Sequence, residues 1–307
     1  MNNSELIRFD QPVALVTGAT GFVGCNLVRR LVHDGWRVHI LKRSDSKLPD
    51  FPEFERITDR VHDGSTQNMV DHVAQAKPDV VFHLASLFIS QHATNDVDSL
   101  ILSNVLFGNQ LLEAMKVNGV SRLINTGTSW QHYNNEDYNP VCLYAATKQA
   151  FESILTYYVQ AEGLNVITLK LFDTYGPADP RLKLFKLLND AAKSGEPLNM
   201  SAGEQLIDIV YIDDVIDAYV IAANRLLEGG GLTHESYMIS SERLLPLKDL
   251  VALFSEITEQ DVVVNWGARP YRSREVMVPW NCGNTLAGWS PKIKLEDGLI
   301  QIASMPC

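Results

Sequence analysis

Short apolar runs alternate with longer amphipathic stretches through the first part of this 307-residue chain. The strand-like runs cover residues 13–17, 38–41, 80–84, 122–125 and 166–171, and the stretches between them are helix-like. Strands that alternate with helices in this way form a parallel sheet with helices on both faces, joined by right-handed crossovers. The pattern therefore predicts an α/β fold with a doubly wound parallel sheet.

The regular alternation of strand-like and helix-like runs ends after Tyr175. Prolines then punctuate shorter elements, and the glycine run 229–231 marks a flexible connection. A helix at about 213–228 is expected to return to the first domain, which makes the boundary interleaved. The predicted division is a large domain of residues 1–173 with 206–231, and a smaller C-terminal lobe of 174–205 and 232–307.

Composition and charge narrow the class of protein. The chain is 46% hydrophobic, 21% charged and carries a net charge of -11, which argues against bulk electrostatic binding to nucleic acid or to an anionic membrane. No window approaches the ~20 apolar residues of a membrane span. Residues 1–12 lack the basic start and apolar core of a signal peptide. We expect a cytoplasmic protein with no nucleic-acid or membrane partner.

The cysteines indicate free thiols and no metal site. They form no Cys-x-x-Cys pair and show no zinc-like spacing. Two of them are expected to be packing residues, Cys25 and Cys142, and the others are Cys282 and Cys307.

A glycine-rich segment, residues 17–24, is the first candidate for chemistry. It follows an apolar run and leads into an amphipathic stretch, so it lies at a strand-to-helix turn. Such a turn binds a dinucleotide, because its glycines allow a tight bend, a close approach of the pyrophosphate and close helix packing. The residues predicted to contact the cofactor here are Gly18, Thr20, Gly21, Phe22, Val23 and Gly24.

A tyrosine and a lysine four residues apart form the second candidate. Tyr144 and Lys148 begin a helix-like segment that runs to about Glu162, so their side chains lie on one face. A phenol with a pKa of about 10 is a poor acid or base at neutral pH, but a nearby ammonium favours the phenolate and lowers that pKa. The pair is therefore suited to proton transfer, and an exposed pair on a solvated helix is the alternative.

The two motifs, in this order, resemble those of the short-chain dehydrogenase/reductase superfamily. The C-terminal length is similar to that of its extended, NAD-dependent epimerase/dehydratase branch, which modifies sugar nucleotides, and the resemblance covers nearly the whole chain. It implies a Rossmann fold, a dinucleotide-binding domain and a substrate-binding lobe. Other matching segments are residues 79–86, Asn104 with Gly108, 126–129, 174–177 and 205–215. Ile207 departs from the pattern, since the branch usually has arginine there.

The resemblance assigns roles to further residues. It places Leu84, Ala85 and Ser86 behind the nicotinamide, and Asn104 on the helix that follows. It makes Thr128 the catalytic hydroxyl that holds the carbonyl, Tyr144 the general acid, and Lys148 its pKa-lowering neighbour and ribose anchor.

The end of the second predicted strand indicates which cofactor is used. NAD-selective sites usually place a carboxylate about 20 residues past the glycine loop, whereas NADP sites place cations there. Lys42, Arg43 and Ser44 follow this strand, which favours NADP(H), with a solvated basic loop as the alternative. By resemblance, Asp63 beside Gly64 would accept from the adenine amino group, and an ordinary Asp-Gly turn is the other interpretation.

The residues after Thr128 separate the reaction types. Dehydratases of this branch have Asp-Glu there and epimerases have a Val-Tyr-Gly segment further on, but this chain reads Ser129-Trp130-Gln131-His132-Tyr133. The strand, the short interval to Tyr144 and the Tyr-Ala-x-Thr-Lys box are most similar to sugar-nucleotide 4-ketoreductases of the CDP-paratose and CDP-abequose synthase type. The resemblance implies NADPH-dependent reduction of a CDP-linked 4-keto-6-deoxy sugar in deoxysugar biosynthesis.

A diphosphate-bearing substrate needs cations. The cluster 269–274 supplies three arginines, unless it is a solvated loop. The predicted substrate contacts are Ser129, Trp130, Arg181 and Arg274. His132 is expected at the surface, with a substrate contact as the alternative. An NAD-retaining epimerase is the alternative function, and a non-catalytic dinucleotide sensor is a further one that the Tyr144–Lys148 pair disfavours.

The stretch 100–112 predicts a homodimer. Its apolar residues cover more than one helix face, whereas a helix packed only on its own sheet needs a single apolar stripe. The resemblance implies pairing through this helix and the one that carries Tyr144.

Overall fold

The computed structural model describes residues 11–229 and 234–304, and these form twelve strands and nine α-helices. The strands are β1 (Val13–Thr17), β2 (Arg37–Lys42), β3 (Thr58–Val61), β4 (Val80–His83), β5 (Arg122–Thr128), β6 (Asn165–Leu171), β7 (Asp173–Tyr175), β8 (Leu198–Asn199), β9 (Leu206–Tyr211), β10 (His234–Ile239), β11 (Leu244–Pro246) and β12 (Val264–Asn265). The helices are α1 (Phe22–His33), α2 (Thr66–Ala76), α3 (Val97–Ile101), α4 (Phe107–Val117), α5 (Leu143–Glu162), α6 (Leu184–Ser194), α7 (Ile212–Glu228), α8 (Leu247–Thr258) and α9 (Leu295–Ser304).

Seven parallel strands make the central sheet, in the order β10-β6-β5-β4-β1-β2-β3. The chain winds outward from β1 in one direction and from β4 in the other, so the strand order reverses between them. The predicted α/β fold with a doubly wound sheet is confirmed. A crevice forms at the carboxyl ends of strands where the order reverses, and ligands of such folds bind there.

The sheet is buried on both faces, which explains the nearly continuous apolar runs of its strands. On one face α1 and α7 pack through residues such as Leu27, Leu31 and Tyr219. On the other face α2, α4 and α5 pack through residues such as Met69 and Leu111. These two helical layers hold the ends of β1, β4 and β5 in fixed positions.

One helix is interrupted beside the sheet. Between α3 and α4 the chain forms a π-helical turn, Leu102–Leu106, which contains the buried Asn104. A π-turn widens the helix by one residue, and such turns occur frequently at functional sites. Here it directs the Asn104 side chain toward the loop that follows β4.

The second part of the chain contributes two small sheets. The first has the order β11-β9-β7, and the second pairs β8 with β12.

Helix α7 lies against α1, where Arg30 contacts Asp217 at 2.7 Å.

One strand lies in a different place from that predicted. The sequence assigned residues 232–307 to the smaller lobe, but β10 pairs in parallel with β6, from His234 opposite Val166 to Ile239 opposite Leu171. The reason is that α7 packs along β6, so the chain that follows it reaches the free edge of the central sheet.

Some sequence predictions lie outside the described residues: those on the N-terminal segment 1–10, on residues 230–233 and on Cys307. Within the described part of the chain, no helix is long and apolar enough to cross a membrane.

Burial raises the pKa of the Cys25 and Cys142 thiols, as expected for packing residues.

Candidate active site

Two adjoining cavities open at the carboxyl ends of the central strands. The glycine-loop cavity, of about 240 Å³, is bordered by the turn after β1, by Ser86 and by Thr128, Tyr144 and Lys148. The lobe cavity, of about 400 Å³, lies beside it against α6 and β9. The residues that border both are Phe88, Trp130, Asp173, Thr174, Arg181 and Lys183. A ligand in one cavity can therefore reach a ligand in the other.

Two glycines of the loop are required by packing. Gly18 has φ +74°, and a Cβ there would lie 2.6 Å from the Ala85 amide nitrogen. A Cβ on Gly24 would overlap the Gly18 carbonyl oxygen. These glycines let α1 begin directly against β1 and β4.

Gly21 has no such packing reason, since a Cβ there would meet only the Gly18 carbonyl oxygen, at 3.4 Å. Gly21 is the N-cap residue of α1, and with no side chain it leaves the first N–H groups of the helix without a side-chain partner. It borders the cavity together with Phe22, Val23 and Gly24. The first N–H groups of a helix have no partner within the helix and favour anions. The turn therefore fits the pyrophosphate of a dinucleotide, whereas Thr20 is exposed and does not border the cavity.

Tyr144 and Lys148 both border the glycine-loop cavity from the first turns of α5. Phe88 packs its ring edge-on to that of Tyr144, at 5.0 Å between centroids. Burial raises the pKa of Tyr144 to about 12, against the opposing effect of Ser86. The prediction that the pKa of Tyr144 lies below its usual value is therefore wrong, because burial of the phenol dominates.

Lys148 is buried, and burial lowers its pKa to about 8 although Glu152 opposes the change. Behind it, burial and the charge of Lys148 lower the pKa of His83 to about 3. The His83 ring is therefore neutral, and its Nδ1 lies 2.9 Å from the Thr17 hydroxyl. The site thus combines the protonated Tyr144 phenol with the Lys148 ammonium.

Thr128 lies at the end of β5, with its hydroxyl close to the cavity. Its Oγ1 accepts from the Trp130 amide at 3.3 Å, and its own amide donates to Gln131 Oε1 at 3.0 Å. Since Oγ1 is the acceptor in the first bond, the hydroxyl proton remains available to a ligand oxygen. Ser129 and Trp130 border the same cavity.

Asn104 supports the wall of the glycine-loop cavity without bordering the cavity itself. Its Oδ1 accepts from the Leu87 amide at 2.7 Å, and its Nδ2 donates to the Leu87 carbonyl at 3.0 Å and to Thr147 Oγ1 at 2.9 Å. It does not border the glycine-loop cavity. Ala85 likewise lies behind the wall and donates to Thr17 Oγ1 at 3.2 Å, while Leu84 and Ser86 border the cavity. Asn104 therefore fixes the loop that carries Ser86 and Phe88.

The predicted cofactor-selecting residues lie at the end of β2, outside the cavity wall. Lys42 Nζ is 2.7 Å from Asp59, whereas the Arg43 side chain is 77% exposed and contacts Asp45 at 3.5 Å. Ser44 is also exposed. Arg43 is therefore the more exposed of the two cations and has the longer ion pair.

Asp63 and Gly64 form the turn that precedes α2. The Asp63 carboxylate accepts from the Ser65 amide at 2.8 Å, and Gly64 has φ +94°. This is the Asp-Gly turn that the sequence left as an alternative. The carboxylate is exposed, so the contact to adenine stays a prediction.

The predicted substrate arginines have separate surroundings. Arg181 borders both cavities, pairs with Asp179 at 2.6 Å, and lies 4.5 Å over the Phe22 ring. Arg274 borders neither, because its guanidinium lies over Tyr133 at 4.3 Å and contacts Asn139.

Three residues that border the lobe cavity were not singled out from the sequence, Phe88, Asp173 and Lys183, and Arg272 of the predicted arginine cluster borders it as well. Arg272 belongs to the same basic cluster as Arg274 and lies 5.1 Å over the Trp130 ring. Lys183 Nζ is 2.8 Å from Asp173. Desolvation raises the pKa of the Asp173 carboxyl, but the nearby cations, Lys183 first, outweigh it and lower that pKa. The signal for Asp173 in the sequence was an acidic residue close to the end of the apolar strand β6.

The chain resembles known proteins over most of its length. It is 28% identical over 273 residues to a CDP-abequose synthase of Yersinia pseudotuberculosis, covering 86% of this chain and 90% of that one. It is 30% identical to a UDP-glucose 4-epimerase of Mycolicibacterium smegmatis, covering 93% of this chain and 95% of that one.

A solved structure of Thermotoga maritima UDP-glucose 4-epimerase with UDP-glucose superposes with a TM-score of 0.83 at 24% identity, covering 94% of this chain and 97% of that one. Residues 14–235 match the profile of the NAD dependent epimerase/dehydratase family. With its glycine loop, its Tyr144–Lys148 pair and this match, the chain belongs to the NAD dependent epimerase/dehydratase family.

Proposed function

We propose that this protein is an NADPH-dependent reductase of a nucleotide-linked 4-keto-6-deoxy sugar, with CDP as the nucleotide. The observation that carries the proposal is that Thr128, Tyr144 and Lys148 border one cavity with the glycine loop, while Ser129 and Trp130 occupy the positions where a dehydratase would need carboxylates. A bound NADPH supplies the hydride. The protein's own side chains carry out every other part of the proposed reaction.

The geometry supports a proton transfer from Tyr144. With a pKa of about 12, the phenol is protonated at neutral pH and can donate to the alkoxide that forms when the ketone is reduced. Lys148 places a positive charge beside the phenolate that remains, in a site where low polarity strengthens that attraction. The Thr128 hydroxyl supplies a second donor to the same oxygen.

The carboxylate in the cavity wall does not supply an acid. Asp173 is held ionised by Lys183, with Arg181 and Arg272 contributing, and an ionised carboxylate has no proton to give. It can instead accept a hydrogen bond from a sugar hydroxyl. This favours reduction over a carboxylate-driven elimination of water.

The lobe cavity suits the nucleotide and its diphosphate. Arg181, Lys183 and Arg272 bring three cations to its wall, and Trp130 brings an aromatic face. All three are paired with carboxylates, Arg181 with Asp179, Lys183 with Asp173 and Arg272 with Glu275. A diphosphate would therefore share or displace those carboxylates. CDP is proposed because CDP-abequose synthases of Yersinia pseudotuberculosis and Salmonella muenchen are 28% and 25% identical to the chain.

The test is a panel of CDP-, dTDP-, UDP- and GDP-linked 4-keto-6-deoxy sugars with NADPH. We expect stoichiometric loss of NADPH absorbance with the CDP sugar, and retention of NADPH binding with a large loss of turnover in Tyr144→Phe. Reduction of a ketone with another nucleotide alone would overturn the CDP assignment. Conversion of a non-keto sugar nucleotide with NAD retained would indicate an epimerase, and cofactor binding without turnover of any sugar nucleotide would indicate a sensor.

A further inference from the structure

A buried cluster of charged and polar side chains lies behind Thr128, apart from the two cavities of the active site. Lys170 on β6, Glu152 on α5 and Gln131 after β5 are each buried. Lys170 Nζ is 3.5 Å from the Glu152 carboxylate. Gln131 Nε2 donates to Glu152 Oε1 at 3.0 Å and to Gln149 Oε1 at 2.7 Å. The proposed reaction uses none of these groups directly.

The cluster holds the strand end that carries Thr128. Gln131 Oε1 accepts from the Thr128 amide at 3.0 Å, so the same side chain joins this strand end to Glu152. The cluster also fills the space above Gly127. A Cβ there would lie 3.0 Å from Glu152 Oε1, 3.0 Å from Lys170 Cγ and 3.1 Å from Gln131 Oε1.

Lys170 also contacts the loop after β5 through His132. Its Nζ is 2.7 Å from His132 Nε2, and the other ring nitrogen, Nδ1, lies 3.1 Å from the Glu136 carbonyl. A carbonyl only accepts, so Nδ1 carries the proton and Nε2 accepts from the ammonium. His132 is therefore a neutral imidazole in one tautomer. It is 8% exposed, so the prediction of a surface histidine was wrong.

The His132 ring connects this loop to the C-terminal part of the chain. It stacks on Trp280 at 4.0 Å between centroids and 13° between planes. Trp280 and His132 border a small cavity of about 60 Å³ with Asp173 and Arg272, two residues that also border the lobe cavity. The position of Trp280 therefore affects the wall of the proposed substrate site.

We propose that Lys170 is a positioning residue for the proposed reductase, which fixes Thr128 through Glu152 and Gln131 and docks the Trp280 segment through His132. Its ammonium has three donors and two of them reach partners on different elements. A buried ion pair adds little net stability, but it can specify one arrangement of the groups around it. This inference rests on the proposed function only for the reaction that Thr128 serves.

The test removes the ion pair without leaving a buried charge. Lys170→Met alone would strand the Glu152 carboxylate, which is strongly destabilising, so the variant is Lys170→Met with Glu152→Gln. We expect unchanged NADPH affinity, a fall in kcat of about tenfold to a hundredfold and a raised KM for the keto sugar, since small displacements of catalytic groups have effects of that size. The matched control is Lys248→Met with Glu204→Gln, which removes an exposed Lys–Glu pair of 2.8 Å and should leave both constants unchanged.

Backbone hydrogen exchange gives a second readout that needs no substrate. In the double variant, amides of residues 128–141 and 276–284 should exchange faster, while those of β1 and α1 stay as in the wild type. His132→Phe keeps a ring against Trp280 but loses both nitrogen contacts. It should speed exchange in the same two segments and raise KM more than it lowers kcat.

The outcomes separate this inference from the proposed function. Wild-type kcat together with unchanged exchange in the double variant would overturn the role of Lys170. So would equal losses of NADPH affinity and kcat with faster exchange everywhere, because that pattern means general loosening of the fold. If the wild-type enzyme reduces no ketone in the panel, the proposed function fails, and exchange in the two segments still decides whether Lys170 positions them.

Discussion

Burial controls the ionisation of the two side chains that carry the proposed proton transfer. Both Tyr144 and Lys148 are shifted toward their neutral forms, the phenol to a pKa of about 12 and the amine to about 8. For a ketone reduction this is a useful starting state, because the acid holds its proton and the amine holds its charge at neutral pH. Only the amine changes its charge near physiological pH.

The first prediction concerns the pH dependence of the reaction. A lysine whose pKa is lowered to about 8 is charged below that pH and neutral above it, so kcat/KM for NADPH should fall as pH rises through about 8. Tyr144 stays protonated over the same range and adds no second fall. The measurement is kcat/KM for NADPH between about pH 6 and pH 10. A lysine with its ordinary pKa of about 10.4 would stay charged through pH 8 and give no fall there.

The control for this prediction is Lys148→Arg. A guanidinium keeps its charge throughout that range. The variant should therefore be slower, because its geometry differs, but flat across pH 8. A descending limb at the same pH in Lys148→Arg would assign the titration to another group.

The second prediction concerns Lys42 and Arg43, which we propose select NADPH. Arg43 is exposed with one weak contact, whereas Lys42 would have to leave Asp59 to reach a phosphate. Arg43→Ala should weaken NADPH by about tenfold to a hundredfold, the size expected for a hydrogen bond to a charged group, and should change NADH little. Lys42→Met should have the smaller effect in the same direction. Equal losses for both cofactors, measured by titration of the purified variants, would contradict the assignment.

At the scale of an element, the turn between β1 and α1 contains one glycine that packing requires and another that borders the proposed binding site. An alanine at Gly24 gains about 1 kcal/mol of helix propensity, but its Cβ would overlap the backbone of Gly18. An alanine at Gly21 meets only one atom, at an ordinary contact distance.

The third prediction is that these two glycines respond differently. Gly24→Ala should unfold at a clearly lower temperature than the wild type. Gly21→Ala should keep the wild-type melting temperature and lose affinity for NADPH, because its methyl group occupies space that we assign to the pyrophosphate. Calorimetry with and without NADPH measures both effects. Full stabilisation of Gly21→Ala by NADPH would remove the pyrophosphate from this position.

The strands of the central sheet could be predicted from the sequence because each is a short apolar run bounded by turn residues. β10 was misassigned, since its position depends on where α7 leaves the chain and not on its own residues. The glycine loop and Tyr144–Lys148 are local motifs and were found. Asp173 was not singled out, because its ion pair with Lys183 forms only once the chain folds back after β7. His132 was not placed correctly, because its neighbours Lys170 and Trp280 are distant in sequence.

At the scale of the whole molecule, the helix before and after the π-turn has an apolar face without a partner among the described residues. Leu100, Leu111 and Leu112 are buried in the core, as a single stripe requires. A second row on the same helix is exposed: Ile101 at 43%, Leu102 at 55% and Leu106 at 42%. Exposed apolar rows are common at protein–protein interfaces, so this row supports the predicted pairing.

The last prediction is that the protein is a homodimer that pairs through this row and α5. A dimer with two-fold symmetry brings the same row from both chains together, so a single substitution acts twice at the interface. Leu102→Glu with Leu106→Glu should therefore give a monomer, because it would bury four carboxylates without partners. Light scattering at micromolar concentration should show twice the mass of one chain for the wild type and a single mass for the variant. Ile300→Glu, an equally exposed apolar position on α9, is the matched control and should remain dimeric. A wild-type protein that scatters as a single chain would refute the dimer, and a double variant that stays dimeric would move the interface to another surface.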